Sequence, residues 1–470
     1  MLRKVVVIGG GITGMSTMHY LQKQAKEQGL DLALTLIEKD AQIGGKMVTK
    51  QRDGYLMEVG ADSIVSRHAS VRKLIEELQL EDRVVYNDTG VSYILTENQL
   101  HAIPEDSVFG IPMNEQALNK STLISEEGKK AVLQDLEKTE LPFTTNHSVG
   151  EFLTYYLGEE IVQKQVAPVL SGVYSGDLNK LTIASTLPYL FEYKNEFGSI
   201  MRGFEANKAF YQENAKKKFI SFKNGLVELF ERIEETLENA TILKNTSVEL
   251  LKQDTNGYKI QIDTGEWLDA DEVVLAVPHQ VAQKLLKEEP FQRDFEELQT
   301  GSIITVYLAY DLPNDVLPAD GTGYIVSSGN DVDCNACTWT SRKWRHTSKD
   351  DKLLIRMFYK KNNPRFEEFC QMTNDELAQI ARQDIEKSLK IIDEPTWIDV
   401  KKWFDAMPIY NLQHKQAVER IEKQMVKYHP HVHLAGCSYY GVGIGLCIQN
   451  GEEVATRVMN QFIQRQREFV

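Results

Sequence analysis

Lys4-Val-Val-Val-Ile-Gly-Gly-Gly-Ile-Thr-Gly14, followed by Asp31-Leu-Ala-Leu-Thr-Leu-Ile-Glu38, decides how the chain begins to fold. Residues 4–8 are apolar and β-branched without alternation, as in a parallel strand buried on both faces. Met15 to Gly29 reads as a helix that stops at glycine, and residues 31–38 as a second strand ending in an acid. Between strand and helix, Gly9, Gly11 and Gly14 have the spacing G-x-G-x-x-G, with Ile12 and Thr13 inside it. The first glycine permits a tight turn, the second lets a pyrophosphate approach the backbone, and the third lets helix pack on strand. Unpaired N–H groups and the helix dipole favour phosphate at that helix start. Glu38 is placed to accept from a ribose 2′-hydroxyl, which permits FAD or NAD and argues against a 2′-phosphate. A glycine-rich turn with no ligand does not account for strand, glycines, helix and acid in that order.

Around this unit lies a chain of 470 residues, more than one hydrophobic core usually supports, so about two or three domains are expected. A hydrophobic content of 42% beside 26% charged residues excludes the disordered and membrane-spanning classes. The formal charge of −15 disfavours nucleic acid and anionic lipid as partners. The five cysteines, Cys334, Cys337, Cys370, Cys437 and Cys447, are sparse and odd in number, which fits reduced thiols. Cys334-Asn-Ala-Cys337 lies in an apparent strand without a second pair or nearby histidines, so packed thiols are expected there and no metal. Residues 1–8 lack the zones of a signal peptide and no apolar run approaches the ~20 residues of a span. A cytoplasmic protein without a transmembrane segment is expected.

The expected fold class is α/β with an α+β substrate domain: a Rossmann-like cofactor domain, a mixed-sheet substrate domain and a helical insertion. Residues 1–65, 216–280 and 396–470 are assigned to the cofactor domain, 66–215 to the mainly helical insertion, and 281–395 to the mixed sheet. The insertion is read from helical patterns at Ser70–Leu80, Ser125–Lys138 and Val149–Leu157. The polar run Asn207–Lys218, with Lys216-Lys217-Lys218 at its end, reads as a solvated loop or helix end. Strand-like runs at Ile303–Tyr310, Gly323–Ser327, Asn335–Thr340 and Leu353–Tyr359 give the mixed sheet, and the final helix is placed from about Gly451 to Arg467.

After Glu38 come Lys39-Asp-Ala-Gln-Ile-Gly-Gly-Lys46 and then Gly60-Ala-Asp-Ser63, and at the far end His433-Leu-Ala-Gly-Cys437 and Gly441-Val-Gly-Ile-Gly-Leu446. In these segments the chain resembles flavoproteins of the amine-oxidase and porphyrinogen-oxidase superfamily. The resemblance implies FAD, held by Gly9, Gly11, Ile12, Thr13, Gly14, Glu38, Lys39, Gly45, Lys46, Gly60, Ala61, Asp62 and Ser63. At the other end of the chain it implies Gly436, Val442, Gly443 and Ile444, where backbone N–H groups can stabilise a reduced flavin. It also implies an adenine contact at Val248 and a flavin contact at Trp403. Two departures stand out. Lys46 replaces an arginine common in the superfamily, keeping charge without the planar fork. Gly445-Leu446 stands where porphyrinogen oxidases commonly have Pro-Asp, so a carboxylate contact is missing.

Ser171-Gly-Val-Tyr-Ser-Gly-Asp177 and Lys402-Trp-Phe-Asp-Ala-Met-Pro-Ile-Tyr410 resemble segments of porphyrinogen oxidases, in particular the soluble bacterial type that acts on coproporphyrinogen III. That resemblance implies loss of hydride from a methylene bridge to flavin N5, reoxidation by O₂ with release of H₂O₂, and a role in heme biosynthesis with transient partners in that pathway. It singles out no side chain as a catalytic base. Substrate propionates require cations, and Arg67 and His68 are the first candidates, with Tyr174 lining the cleft. Arg342, Lys343, Arg345 and Arg356 are further candidates. Protoporphyrinogen IX as substrate remains open, as do, more distantly, a flavin amine oxidase and a non-catalytic protein that has kept the nucleotide fold.

Overall fold

The computed structural model describes residues 2–468 except 89, 175, 176, 216, 217, 256, 288, 319, 328 and 412, and describes no side chain at 171–174, 185, 214, 215, 289, 290 and 466–468. Strand β1 (Arg3–Ile8), helix α1 (Ile12–Gln28) and strand β2 (Leu32–Ile37) form the expected half-unit. α1 ends on Gly29, whose left-handed backbone returns its N–H to the last carbonyls of the helix. The sheet grows to five parallel strands in the order Ala240–Leu243, β2, β1, Glu272–Leu275, Val432–Leu434. Alternate side chains feed two cores. Val5, Val7, Leu34 and Leu36 pack with Met15, Met18, Val454 and Val458 on one face. Val6, Ile8, Ile37 and Val273 pack with Ile260, Ala282 and Ile421 on the other. Burial on both faces is why these strands carry no polar alternation.

A second sheet is mixed and seven-stranded, in the order Trp397–Ile409, Gln299–Pro313, Lys352–Lys360, Ala336–Trp339, Gly321–Val326, Val91–Thr96, Gln99–Ala102. Only the Gly321–Val326 and Val91–Thr96 pair is parallel. The sheet therefore draws strands from outside the range expected for it. Val91–Ala102 was expected within the helical insertion but is a hairpin, turned at Glu97 and Asn98, both with positive φ, as a two-residue hairpin turn requires. Trp397–Ile409 was expected with the third cofactor segment but runs along Gln299–Pro313 as an edge strand. The helical body begins at Glu115 and has its own core, including Phe152, Leu157, Leu170 and Phe204. Within it Lys194 and Asp135 form a fully buried pair at 2.8 Å, and Ser199 also donates to Asp135.

Two helices depart from expectation. Residues 208–215, read as polar loop or helix end, form a helix that lays Tyr211 against Phe204. The last helix runs Ile444–Glu468 rather than from Gly451. Its glycines sit where neighbours come close: a Cβ on Gly445 would lie 2.4 Å from the His68 ring, and one on Gly451 2.7 Å from Ser16 Cβ of α1. Among the described residues no helix is long and apolar enough to cross a membrane.

Candidate active site

The three glycines of the first loop are used differently. Gly9 has φ +104°, and a Cβ there would meet the Ala276 carbonyl oxygen at 2.4 Å. A Cβ on Gly14 would meet the Gly9 carbonyl oxygen at 2.0 Å, so that glycine sets the approach of α1 to β1. Gly11 has nothing within 4 Å of the same position. It precedes the first residue of α1, so its open face lies beside the unpaired N–H groups of Ile12 and Thr13.

Glu38, at the end of β2, is buried, with one carboxylate oxygen accepting from Gly10 N–H at 2.6 Å and the other from Asp40 N–H at 2.9 Å. Its backbone meets the segment after Leu243, since Thr246 N–H donates to the Glu38 carbonyl at 3.0 Å. Val248, at the start of the next strand, is thereby held near the acid and packs on the core of that face. Lys39 is exposed. Gly44 and Gly45, with φ of +140° and +58°, turn the chain back onto the loop, Gly44 N–H donating to the Gly10 carbonyl at 3.0 Å. Lys46 then points across the cleft, donating from Nζ to the Ala406 carbonyl at 2.8 Å and to Cys437 Sγ at 3.0 Å.

The segment Gly60–Ser63 is gripped from the mixed sheet. Ala61 N–H donates to the Lys46 carbonyl at 2.9 Å. Trp403 donates from its indole N–H to the Val59 carbonyl at 2.9 Å, and a Cβ on Gly60 would touch its ring at 3.3 Å. Arg356 is buried beneath and donates to the carbonyls of Val59 and Gly60, so this cation orders backbone. Asp62 pairs with Lys343 at 2.9 Å and accepts from Ser63 Oγ at 2.9 Å. Burial pushes its carboxyl up, but Lys343 and then Arg356 outweigh that and hold it at about 2.

The C-terminal segment meets these groups from the opposite side. Gly436 has φ +100°, donates its N–H to Asn450 Oδ1 at 2.8 Å and lies against Thr13 of the glycine loop. Tyr410 stacks on His414 and donates to the Cys437 carbonyl at 2.8 Å, so the 402–410 segment touches both Lys46 and the last glycine run. A hydrogen bond from Cys447 and, after it, the Lys46 ammonium pull the Cys437 thiol below the ordinary thiol range against the effect of burial. Gly443 is exposed, Ile444 half-buried, and Val442 and Leu446 are apolar side chains left 47% and 41% exposed at the start of the last helix. Apolar side chains left exposed at a helix start are what the wall of a ligand cleft presents.

Arg67 and His68, adjacent in sequence, part in space. The His68 ring lies against Gly445 with Nδ1 2.8 Å from Ser70 Oγ, which donates on to the Gly445 carbonyl, and burial lowers its pKa. His68 thus ties its own segment to the start of the last helix. Arg67 is exposed and follows Ser66, whose N–H donates to the Lys218 carbonyl at 3.1 Å. Of the further cations, Arg342 donates to the Pro318 carbonyl and Arg345 pairs with Asp88, while Lys343 faces the same region as Arg67. Tyr174 closes the helix Ala167–Tyr174, and its side chain lies outside the described residues, as do Ser175 and Gly176 of its motif. Lys218 escaped the sequence reading because it ends a lysine run that looks solvated. The aromatic Phe219 directly after it was the available signal. Cys334 and Cys337 are buried in the mixed-sheet core, and burial raises both thiols.

Residues 12–459 match the family described as flavin containing amine oxidoreductase, and the chain belongs to that family. Its cofactor is FAD, and it is a flavoprotein oxidoreductase. Within the family it is 33% identical over 455 residues to coproporphyrinogen III oxidase of Bacillus subtilis (strain 168), covering 96% of each chain. It is 32% identical to coproporphyrinogen III oxidase of Staphylococcus aureus (strain NCTC 8325 / PS 47), covering 98% of this chain and 99% of that one. The fold superposes on the structure of a provisionally named protoporphyrinogen oxidase from Exiguobacterium sp. 255-15 with a TM-score of 0.88 and 29% identity, covering 98% and 99%.

Proposed function

We propose that the chain oxidises coproporphyrinogen III to coproporphyrin III with O₂ as acceptor and H₂O₂ as product, as a step of heme biosynthesis. The observation that carries this is the end-to-end similarity to enzymes named for that substrate. The residues fit FAD. Gly11 leaves open the face a phosphate needs, Glu38 offers a buried carboxylate to a ribose, and Val442 and Leu446 present apolar surface to a flat ring. Gly9–Gly14 would hold the pyrophosphate, Val248 the adenine side, and Gly60–Ser63, Trp403 and Gly436–Ile444 the flavin end. When bound, FAD supplies the hydride acceptor for a methylene-bridge carbon and returns the electrons to O₂.

The chain's own share is positioning. Trp403 and Arg356 fix the Val59–Gly60 backbone from the mixed sheet, and Tyr410 and Lys46 tie the 402–410 segment to the last glycine run. Side chains held by such ties lose little freedom when substrate arrives, which is how orientation lowers a barrier. The pyrrole protons can leave to water, so no side-chain base is assigned. Steady-state assays of the flavin-loaded protein on coproporphyrinogen III and protoporphyrinogen IX, following porphyrin fluorescence and O₂ uptake, test the reading. Preference for coproporphyrinogen III with peroxide release is expected. Oxidation of neither substrate, or anaerobic bleaching of the flavin by amines alone, would overturn it.

A further inference from the structure

Three cations meet where the 62–68 segment leaves the flavin side of the cleft. Strand Phe219–Phe222 pairs antiparallel with Ile64–Val65, Phe219 opposite Val65, and Ser66 N–H donates to the Lys218 carbonyl at 3.1 Å. Arg67 and Lys218 therefore flank one another at adjoining strand ends. The third cation arrives from the 340–343 helix: Asp88 N–H donates to the Lys343 carbonyl at 3.0 Å, and Asn87 Oδ1 accepts from Phe219 N–H at 2.9 Å. The ammonium groups of Lys218 and Lys343 each lie 5.3 Å from the centroid of the Phe219 ring, and Lys218 is also 5.8 Å from that of Phe109. Shared aromatic faces hold two like charges in place.

Their charge is not balanced locally. Lys343 has Asp62 at 2.9 Å, but among the described residues Arg67 and Lys218 have no acidic partner. On a chain with 68 acids against 53 basic residues, an uncompensated pair of neighbouring cations is an arrangement the background field does not explain. Lys218 is exposed, with its ammonium group set over the Phe219 and Phe109 rings, which strip part of its hydration. A cation open to solvent yet fixed over two rings is placed to meet a carboxylate from outside. That desolvation, followed by Arg67 and Lys343, holds the Lys218 pKa below the ordinary lysine range. An anion placed between the cations would relieve both the repulsion and the desolvation.

We infer that Arg67, Lys218 and Lys343 form a carboxylate subsite of the substrate cleft, with Lys218 as the cation that determines preference for the substrate carrying more carboxylate arms. The inference rests on the proposed porphyrinogen oxidation for the identity of the ligand. The Asp62–Lys343 pair joins the subsite to the Gly60 segment, which Trp403 also touches. His68, packed on Gly445 and bonded to Ser70, lies apart from these three cations.

The test uses flavin-loaded protein and coproporphyrin III as a stable tetracarboxylate probe, its binding followed by fluorescence quenching. Lys218→Gln is expected to raise the Kd about tenfold and to flatten its dependence on salt, as loss of one charge-assisted contact does, while Lys218→Arg stays within about twofold. Turnover should show KM for coproporphyrinogen III rising more than kcat falls, and the advantage over the dicarboxylate protoporphyrinogen IX shrinking. Unchanged probe binding and salt dependence in Lys218→Gln would overturn the subsite. Should that variant lose its flavin, Arg67→Gln carries the same measurement with the same two outcomes. Lys218-dependent probe binding without oxidation of any porphyrinogen would keep the subsite and remove the proposed reaction, and the converse pattern would do the reverse.

Discussion

A glycine can be required by the fold or by the ligand, and Gly14 and Gly11 separate the two cases within one loop. Gly14→Ala puts a Cβ 2.0 Å from the Gly9 carbonyl, so α1 must move; both the thermal midpoint of the apoprotein and flavin content are expected to fall. Gly11→Ala meets no protein atom within 4 Å, so the apoprotein should melt close to wild type while bound FAD drops severalfold, read by the flavin-to-protein absorbance ratio. Equal losses in the two variants would mean that Gly11 is structural. Glu58 makes a different residue-scale prediction. It is buried, accepts from Leu226 N–H at 2.7 Å and from Thr49, and desolvation lifts its carboxyl from 4.5 to about 7. Because the folded state holds this proton more tightly, the stability linked to it is full below pH 4.5 and is lost as pH rises through 7. Glu58→Gln should therefore be more stable than wild type at pH 8, by about 3 kcal/mol at most, with a flatter profile of denaturation midpoint against pH. Parallel profiles for the two proteins would count against it. The sequence made the glycine loop and Glu38 legible because spacing alone expresses their geometry. Glu58 and Lys218 were not legible, since burial and distant neighbours create their properties.

At the scale of elements, the parallel sheet is closed by a buried ionic knot. Glu272 is 0% exposed and bonds His433 at 2.9 Å in the adjoining strand and Arg465 at 2.7 Å near the end of the last helix. Replacing it with alanine leaves Arg465 without its buried partner and should cost about 3 kcal/mol, measured by denaturant unfolding. A loss below about 0.5 kcal/mol would place the strand-to-helix attachment in apolar packing alone. The strands were easy to read where burial on both faces suppressed alternation, as in β1, and harder in hairpins. Val91–Thr96 alternates weakly and lies among helical patterns, and its pairing with Gly321–Val326 is a contact across more than two hundred residues that no local pattern expresses. The early start of the last helix was hidden for a related reason. Gly443 and Gly445 read as loop before a helix starting at Gly451, whereas Gly445 lies inside the helix, where the approach of the His68 ring demands it.

At the scale of the molecule, the proposed cofactor cleft lies where the two ends of the chain meet: Gly436 lies on Thr13, α1 packs on the last helix, and Lys46 reaches Cys437. A ligand seated there couples elements more than four hundred residues apart, so binding should protect them together. Hydrogen exchange is the direct measurement. FAD at 100 times its Kd stabilises a binding-competent fold by about 2.7 kcal/mol, a shift of several degrees in thermal midpoint for a chain of this length. Amides of β1, α1, Val432–Leu434 and the last helix are expected to slow as one group on FAD addition. Those of Gln299–Pro313 and Lys352–Lys360 should slow less, because their core is formed among the strands of the mixed sheet and the helix Asn374–Leu389. The exception inside that sheet is Trp397–Ile409, which carries Trp403 and the Ala406 carbonyl to the cleft and should follow the cofactor domain. Uniform protection of both sheets would mean that FAD reports only on global unfolding, whereas protection confined to β1 and α1 would mean that the C-terminal segment does not hold the cofactor.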